Sequence, residues 1–159
     1  MGTQIFSLDG KRALVTGASR GIGAAIALAF AECGADVALT ARSTADLEEL
    51  AAKIEATGRR GIPITCDVTK GDDITRCVET ALDHLGGIDV LVNNAGGTRF
   101  MAPVLELREE GWDKSINLNL KSVFLFCQKV GAHMVARGSG SIINVSSIGG
   151  LHASPTLSF

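Results

Sequence analysis

TGASRGIG, residues 16–23, decides how this chain must fold. It follows the apolar run RALVT (12–16) and opens the run IGAAIALAFAEC (22–33), so a glycine-rich turn joins a strand to a helix. Its glycines are Gly17, Gly21 and Gly23, with Ile22 between the last two. A glycine directly after a strand permits a sharp turn. One at the helix start lets backbone approach a pyrophosphate, whose charge the helix N-terminus favours. The third allows close packing of helix on strand. Ser19 and Arg20 add side-chain donors in the turn. The competing reading is a glycine-rich turn with no ligand, and the strand–turn–helix setting argues against it.

Outward from this turn, short apolar runs alternate with longer helical patterns. DVALTA (36–41), GIPITC (61–66), IDVLVNN (88–94) and SIINVSS (141–147) read as further strands. Pro63 suits a sheet edge, and the apolar middle of 88–94 suits a fully buried parallel strand. Leu47, Leu50, Ala51 and Ile54 form one helix face, with Ser43 or Thr44 as cap. Ile74, Val78, Leu82 and Leu85 form another. A long helix spans about 112–137, with an interruption near Asn117–Asn119. The pattern predicts an α/β fold, a Rossmann-type doubly wound parallel sheet with helices on both faces, in a single domain over 1–159.

The totals agree with one well-filled core. The 159 residues are 46% hydrophobic, with 19 Gly and only 4% aromatics, which points to close-packed small side chains. A net charge of −2 without a long basic run argues against nucleic acid as a partner. Arg59-Arg60 reads as a solvated turn. Cys33, Cys66, Cys77 and Cys127 match no zinc spacing and read as reduced thiols of a cytoplasmic protein. His84, His133 and His152 show no paired ligand spacing, so no metal is expected. No signal peptide is apparent, and no apolar run approaches membrane-spanning length.

The chemistry-bearing residues sit at strand ends. The second strand ends TARS (40–43), where an NAD site usually carries an acid for the ribose hydroxyls. Arg42, beside Ser43, suits a 2′-phosphate instead, which points to NADP (NADPH) over NAD. The alternative for Arg42 is a plain surface cation. Asp67 can accept from an adenine amino group with Val68 flanking the ring, or can be a cap or turn residue. In NNAGG (93–97), Asn94 can tie loops together, while Ala95 and Gly96 leave backbone bare for a flat ligand.

In this order and spacing, the four segments resemble the short-chain dehydrogenase/reductase family. TGASRGIG resembles its TGxxxGIG motif, Asp67 its adenine-site Asp, and NNAG its next signature. WDKSINLNLKSVF (112–124) is similar to the segment that carries a catalytic Asn, here Asn119, and IINVSSIGG to the strand with a catalytic Ser, here Ser147. The overall flavour is that of the 3-oxoacyl-carrier-protein reductase-like branch. The resemblance implies interconversion of a small-molecule carbonyl and an alcohol by hydride transfer. Ser147 would bond the substrate oxygen, and Asn119 would hold a water in a proton relay. From the residues alone, Asn119 is more often a helix-kink residue and Ser147 a strand-end Ser.

The resemblance also implies a Tyr about thirteen residues after the catalytic Ser, with a Lys four beyond it. That position falls just past Phe159, and the chain has no Tyr. The chain therefore reads as the N-terminal part of a longer protein, with the C-terminal part of the family fold missing and no turnover of its own. The alternative is a non-catalytic dinucleotide-binding protein. The family strand order would leave the fifth strand as an open, aggregation-prone edge. The long helix would lie in the subunit contact of a homo-oligomer, a dimer or tetramer. The segment 150–159, with Gly150, Leu151, His152 and Ala153, would line one wall of the substrate site; His152 could touch a substrate there, but a plain loop His is the better reading.

Overall fold

The computed structural model describes residues 6–98 and 102–150. Five strands pair in parallel: β1 Arg12–Thr16, β2 Asp36–Ala41, β3 Gly61–Thr65, β4 Val90–Asn93 and β5 Ser141–Asn144. Their order across the sheet is β3-β2-β1-β4-β5. The crossovers are α1 Gly21–Glu32, α2 Thr44–Glu55, α3 Gly71–Leu85, and the pair α4 Glu109–Ile116 and α5 Ser122–Arg137. A π-helical turn, Asn117–Lys121, joins α4 to α5.

Side chains alternate across the central strands, so each face needs its own cover. Ala13, Val15, Val37, Leu39 and Val92 point to one face, where Ala27 and Ala31 of α1 and Leu47 and Ile54 of α2 pack on them. The small residues of α1, four apart, let that helix lie close to the sheet. Leu14, Ala38 and Leu91 point to the other face, under Ile74 and Val78 of α3 and Phe126 and Val130 of α5. The central strands β1, β2 and β4 are therefore buried on both faces, as their apolar runs require.

This winding creates the site. The chain builds outward from β1 to β2 to β3, then α3 carries it back to the far side of β1. The loops after β1 and β4 leave adjacent strands in opposite directions. They open a crevice at the carboxyl end of the sheet.

Several boundaries differ from the sequence reading. The last ladder pair of β5 is Asn144 with Asn93, followed by one backbone bond from Val145 N to Asn93 O at 2.9 Å. Because β4 ends at Asn93, the strand has no partner to continue on, and Ser147 lies three residues beyond it. The helix expected from Trp112 begins at Glu109, where Glu109 and Glu110 favour the positive end of its dipole. The interruption is a π turn within a continuous helix, not a break. Pro63 is on the edge strand β3, exposed to solvent as its missing N–H demands. At the opposite edge, β5 leaves Ile142 38% and Ile143 43% exposed.

Arg59 and Arg60 lie in the helix-to-strand turn before β3, Arg60 exposed and Arg59 half-buried. Both bind Asp36 at the start of β2, Arg60 Nε at 2.9 Å and Arg59 Nη2 at 3.3 Å. Arg60 Nη1 also donates to His84 O at 2.9 Å. Ser43 precedes α2 as expected but makes no capping bond, while the Thr44 hydroxyl pairs with that of Thr65 at 2.6 Å.

A second ion cluster closes the opposite end of the sheet from the crevice. Asp89 accepts from Arg12 Nε at 2.8 Å, Arg12 N at 3.0 Å and Arg137 Nη2 at 3.0 Å. The Arg12 side-chain bond, helped by Arg137 and opposed by partial burial, holds the Asp89 carboxyl down at about 2. A depressed carboxylate stabilises the fold above its unfolded pKa and loses that contribution as pH falls through the folded value. The window is therefore from about pH 4 down to about 2, and the contribution is on the order of 2 kcal/mol. Urea unfolding of wild type and Asp89→Asn between pH 5 and pH 2 checks this. The stability gap between the two is expected to narrow on acidification, and a gap independent of pH would contradict it.

Candidate functional site

The turn after β1 meets the loop after β4 through a set of short bonds. Thr16, the last residue of β1, is 1% exposed. Its Oγ1 accepts from Asn94 N and Ala95 N, both at 3.0 Å, and donates to Val92 O at 3.3 Å. Asn94 Nδ2 returns to Thr16 O at 3.0 Å and Gly17 O at 3.2 Å. Asn94 thus ties the two loops together, as its position in NNAG suggested. Thr16 is the partner that sequence reasoning missed. Its place at the head of TGASRGIG was visible, but the bond partners of a strand-end Thr are not.

Gly17 is left-handed, at φ +67°, and a Cβ there would lie 2.9 Å from Ala95 Cα. At Gly23 a Cβ would lie 2.3 Å from Gly17 O and 2.5 Å from Asn94 Nδ2. These two glycines are needed for the protein's own packing. Gly21, by contrast, has open space where a Cβ would point. It is the first residue of α1, a helix with no side-chain cap and no acid in its first turn. Around it Arg20 is exposed, Ser19 is half-buried, and Ile22 is 63% exposed although apolar. Uncapped N–H groups and two side-chain donors suit the pyrophosphate of a dinucleotide.

Arg42 follows β2, exposed, and faces Asp67 after β3 closely enough for its charge to act on that carboxyl. Partial burial raises the Asp67 pKa, but bonds from Thr69 Oγ1 (2.8 Å) and Thr69 N (3.1 Å), with Lys70 and Arg42, outweigh it and hold the group below its ordinary value. Both Thr69 donors go to Oδ1. Among the described residues no hydrogen bond to Asp67 Oδ2 is seen. Asp67 does not cap α3, whose first flanking residue is Lys70. Val68 is only 8% exposed and packs into the core with Ile64 and Ile74, so its side chain does not stand free beside a ring.

Asn119 sits in the π turn, exposed. Its Oδ1 accepts from Gly97 N at 2.9 Å, and its Nδ2 donates to Gly97 O at 3.0 Å and Ser115 O at 3.1 Å. Both amide hydrogens are used, and one lone pair of Oδ1 remains for a water. Gly96 passes close by, since a Cβ there would lie 2.9 Å from Asn119 Oδ1. A π turn leaves backbone groups poorly matched, which is why such turns collect at functional positions. Asn117 of the same turn donates to Thr69 O at 3.0 Å and was not singled out from sequence. Ser147 is exposed, and its Oγ accepts from Gly149 N at 3.2 Å. That bond is local, so the described contacts do not bring Ser147 to Asn119. His152, Leu151 and Ala153 lie outside the described residues.

Among the described residues no three His, Cys, Asp or Glu side chains converge as a metal site needs. No described helix is long and apolar enough to cross a membrane.

The sequence model of one family, short chain dehydrogenase, matches residues 11–159. The 3-oxoacyl-acyl-carrier-protein reductase of Thermotoga maritima is 43% identical over 148 residues, covering 93% of this chain and 60% of that enzyme. Gluconate 5-dehydrogenase of Gluconobacter oxydans is 41% identical over 144 residues, covering 91% of this chain and 56% of that enzyme. Two solved structures share the fold. A metagenomic short-chain oxidoreductase in complex with NADP is 40% identical with a TM-score of 0.87, over 92% of this chain and 66% of that one. A 7α-hydroxysteroid dehydrogenase complexed with NADH and 7-oxo glycochenodeoxycholic acid is 31% identical with a TM-score of 0.90, over 94% and 58%. This chain spans about 60% of the length of the first of these curated relatives. With the motif order, the strand order and the match over 11–159 in agreement, the chain belongs to the short-chain dehydrogenase/reductase family.

Proposed function

We propose that the complete protein is an NADP-dependent oxidoreductase that interconverts a carbonyl and a secondary alcohol. In this reading residues 1–159 form its dinucleotide-binding domain. The observation that carries the reading is the uncapped N-terminus of α1 at the switch point, with Arg42 exposed at the end of the neighbouring strand. When bound, the nicotinamide supplies or accepts the hydride. The chain's own residues do the rest of what is assigned here. The first turn of α1, with Ser19 and Arg20, holds the pyrophosphate, and Ile22 covers it from one side. Asp67 accepts from the adenine amino group. Arg42, with Ser43, takes the 2′-phosphate. Asn94 fixes Ala95 and Gly96 so that their backbone passes beside the cofactor. Ser147 bonds the substrate oxygen where charge builds. Asn119 holds a water for the proton path.

Residues 1–159 contain no Tyr, so the acid–base role of the family pattern is assigned to none of them. The same reading places a homo-oligomeric contact on the helix pair α4–α5, where Leu120 and Phe124 are 60% and 58% exposed.

Solved relatives carry NADP in one case and NADH in another, so the cofactor choice rests on this chain's own Arg42. A guanidinium–phosphate bond contributes about 1.5–3 kcal/mol, or roughly ten- to a hundredfold in affinity. Fluorescence titration of the full-length protein is expected to show NADPH bound tighter than NADH. Arg42→Ala is expected to lose that factor for NADPH and little for NADH. Tighter NADH binding, or an unchanged NADPH affinity in the variant, would overturn the assignment.

A further inference from the structure

Asn117 opens the π turn two residues before Asn119. Residues two apart on a helix do not share a face. The two amides can therefore grip loops on different sides. Asn119 holds Gly97, in the loop after β4, through both its N–H and its C=O. Asn117 Nδ2 holds Thr69 O, in the loop after β3, at 3.0 Å. β3 and β4 have β2 and β1 between them, so no ladder joins these loops. One turn of helix links them instead.

Thr69 is also the residue whose N–H and hydroxyl fix Asp67 Oδ1. Asp73, in the first turn of α3, takes Asp67 N at 3.2 Å. The Asp67 loop is thus held from α3 through Asp73 and from the π turn through Asn117.

We propose that Asn117 is a positioning residue for the adenine half of the dinucleotide. By holding the Thr69 carbonyl it fixes the Asp67 carboxylate opposite Arg42 before the ligand arrives, so less ordering is left to binding. The proposal rests on the dinucleotide reading above. Without the Asn117 amide the loop keeps its α3 anchor and loses the one that joins it to the turn bearing Asn119.

The test measures binding of 2′-phospho-ADP-ribose, which carries the adenine half and no nicotinamide, to the full-length protein by calorimetry. Asn117→Ala removes the donor. Asn117→Asp keeps the shape and presents only acceptors to Thr69 O. Both are expected to weaken the probe about three- to tenfold, the weight of one hydrogen bond, with the ligand-free melting temperature unchanged. Asn117→Gln, which retains an amide donor, is expected to recover part of the loss. Wild-type affinity in both Asn117→Ala and Asn117→Asp would overturn the proposal. So would a loss that follows a falling melting temperature and is not reversed by Asn117→Gln. If the wild-type protein binds neither the probe nor NADPH, the dinucleotide reading itself fails.

Discussion

A Gly23→Ala variant of the full-length protein is expected to lose about 3 kcal/mol of stability and at least tenfold in NADPH affinity, the upper range for an overpacked site. The added methyl would stand 2.3 Å from Gly17 O and 2.5 Å from Asn94 Nδ2. Neither neighbour is a flexible side-chain end. Gly17 O is backbone, in a turn that already needs a left-handed residue. Asn94 Nδ2 is fixed by two carbonyls. Nor can Gly23 itself move away, because it is buried in the first turn of α1, a helix seated on the sheet through Ala27 and Ala31. Relief requires α1 to lift or the turn to open, and either displaces the N–H groups proposed to face the pyrophosphate. Urea unfolding and NADPH titration read the two effects separately. A variant with wild-type stability and affinity would mean that the turn is far softer than its contacts indicate.

The second large effect is expected at Thr16→Val. Valine matches threonine in shape, so no cavity forms, and the change isolates the hydroxyl. Thr16 Oγ1 is the acceptor for Asn94 N and Ala95 N at 3.0 Å each. Without it two N–H groups lose their partner beside a buried strand end. An unsatisfied buried group costs about 1–3 kcal/mol, so the loss is expected to be roughly 2–5 kcal/mol. Thr16→Ser keeps the oxygen and removes one methyl, for which about 1 kcal/mol is expected. Chemical denaturation of both variants gives the comparison. If serine is as damaging as valine, packing and not hydrogen bonding governs the position.

Both sites lie where two motifs meet, and the sequence showed the motifs but not their joining. Gly17, Gly21 and Gly23 were legible because a strand-to-helix turn restricts which residues fit. Arg42 stands exposed after β2, as its position at the strand end suggested. The five strands and their order followed from alternating local patterns and from the family resemblance. What escaped were contacts of long range. Thr16 and Asn94 are 78 apart in the chain, and Asn117 and Thr69 are 48 apart. Periodicity records whether a side chain is covered, not which backbone group it meets.

The same distinction explains the smaller differences. Arg59 and Arg60 lie in the exposed turn the sequence suggests, but their shared partner Asp36, at the start of the adjacent strand, is not legible from it. Val68 was expected beside a ring because the sequence does not show that α3 covers its side chain. The strand expected to reach Ser147 stops at Asn144 because its partner β4 ends at Asn93, a limit set by the neighbour and not by the residues of 145–147.

Sequence by itself determined the doubly wound class and the glycine turn at its centre, since each follows from local geometry. Tertiary structure alone decided that Thr16 locks the two loops and that one π turn grips a loop on either side. Those bonds exist only because the crossover through α3 returns the chain to the far side of β1 and sets β4 against it.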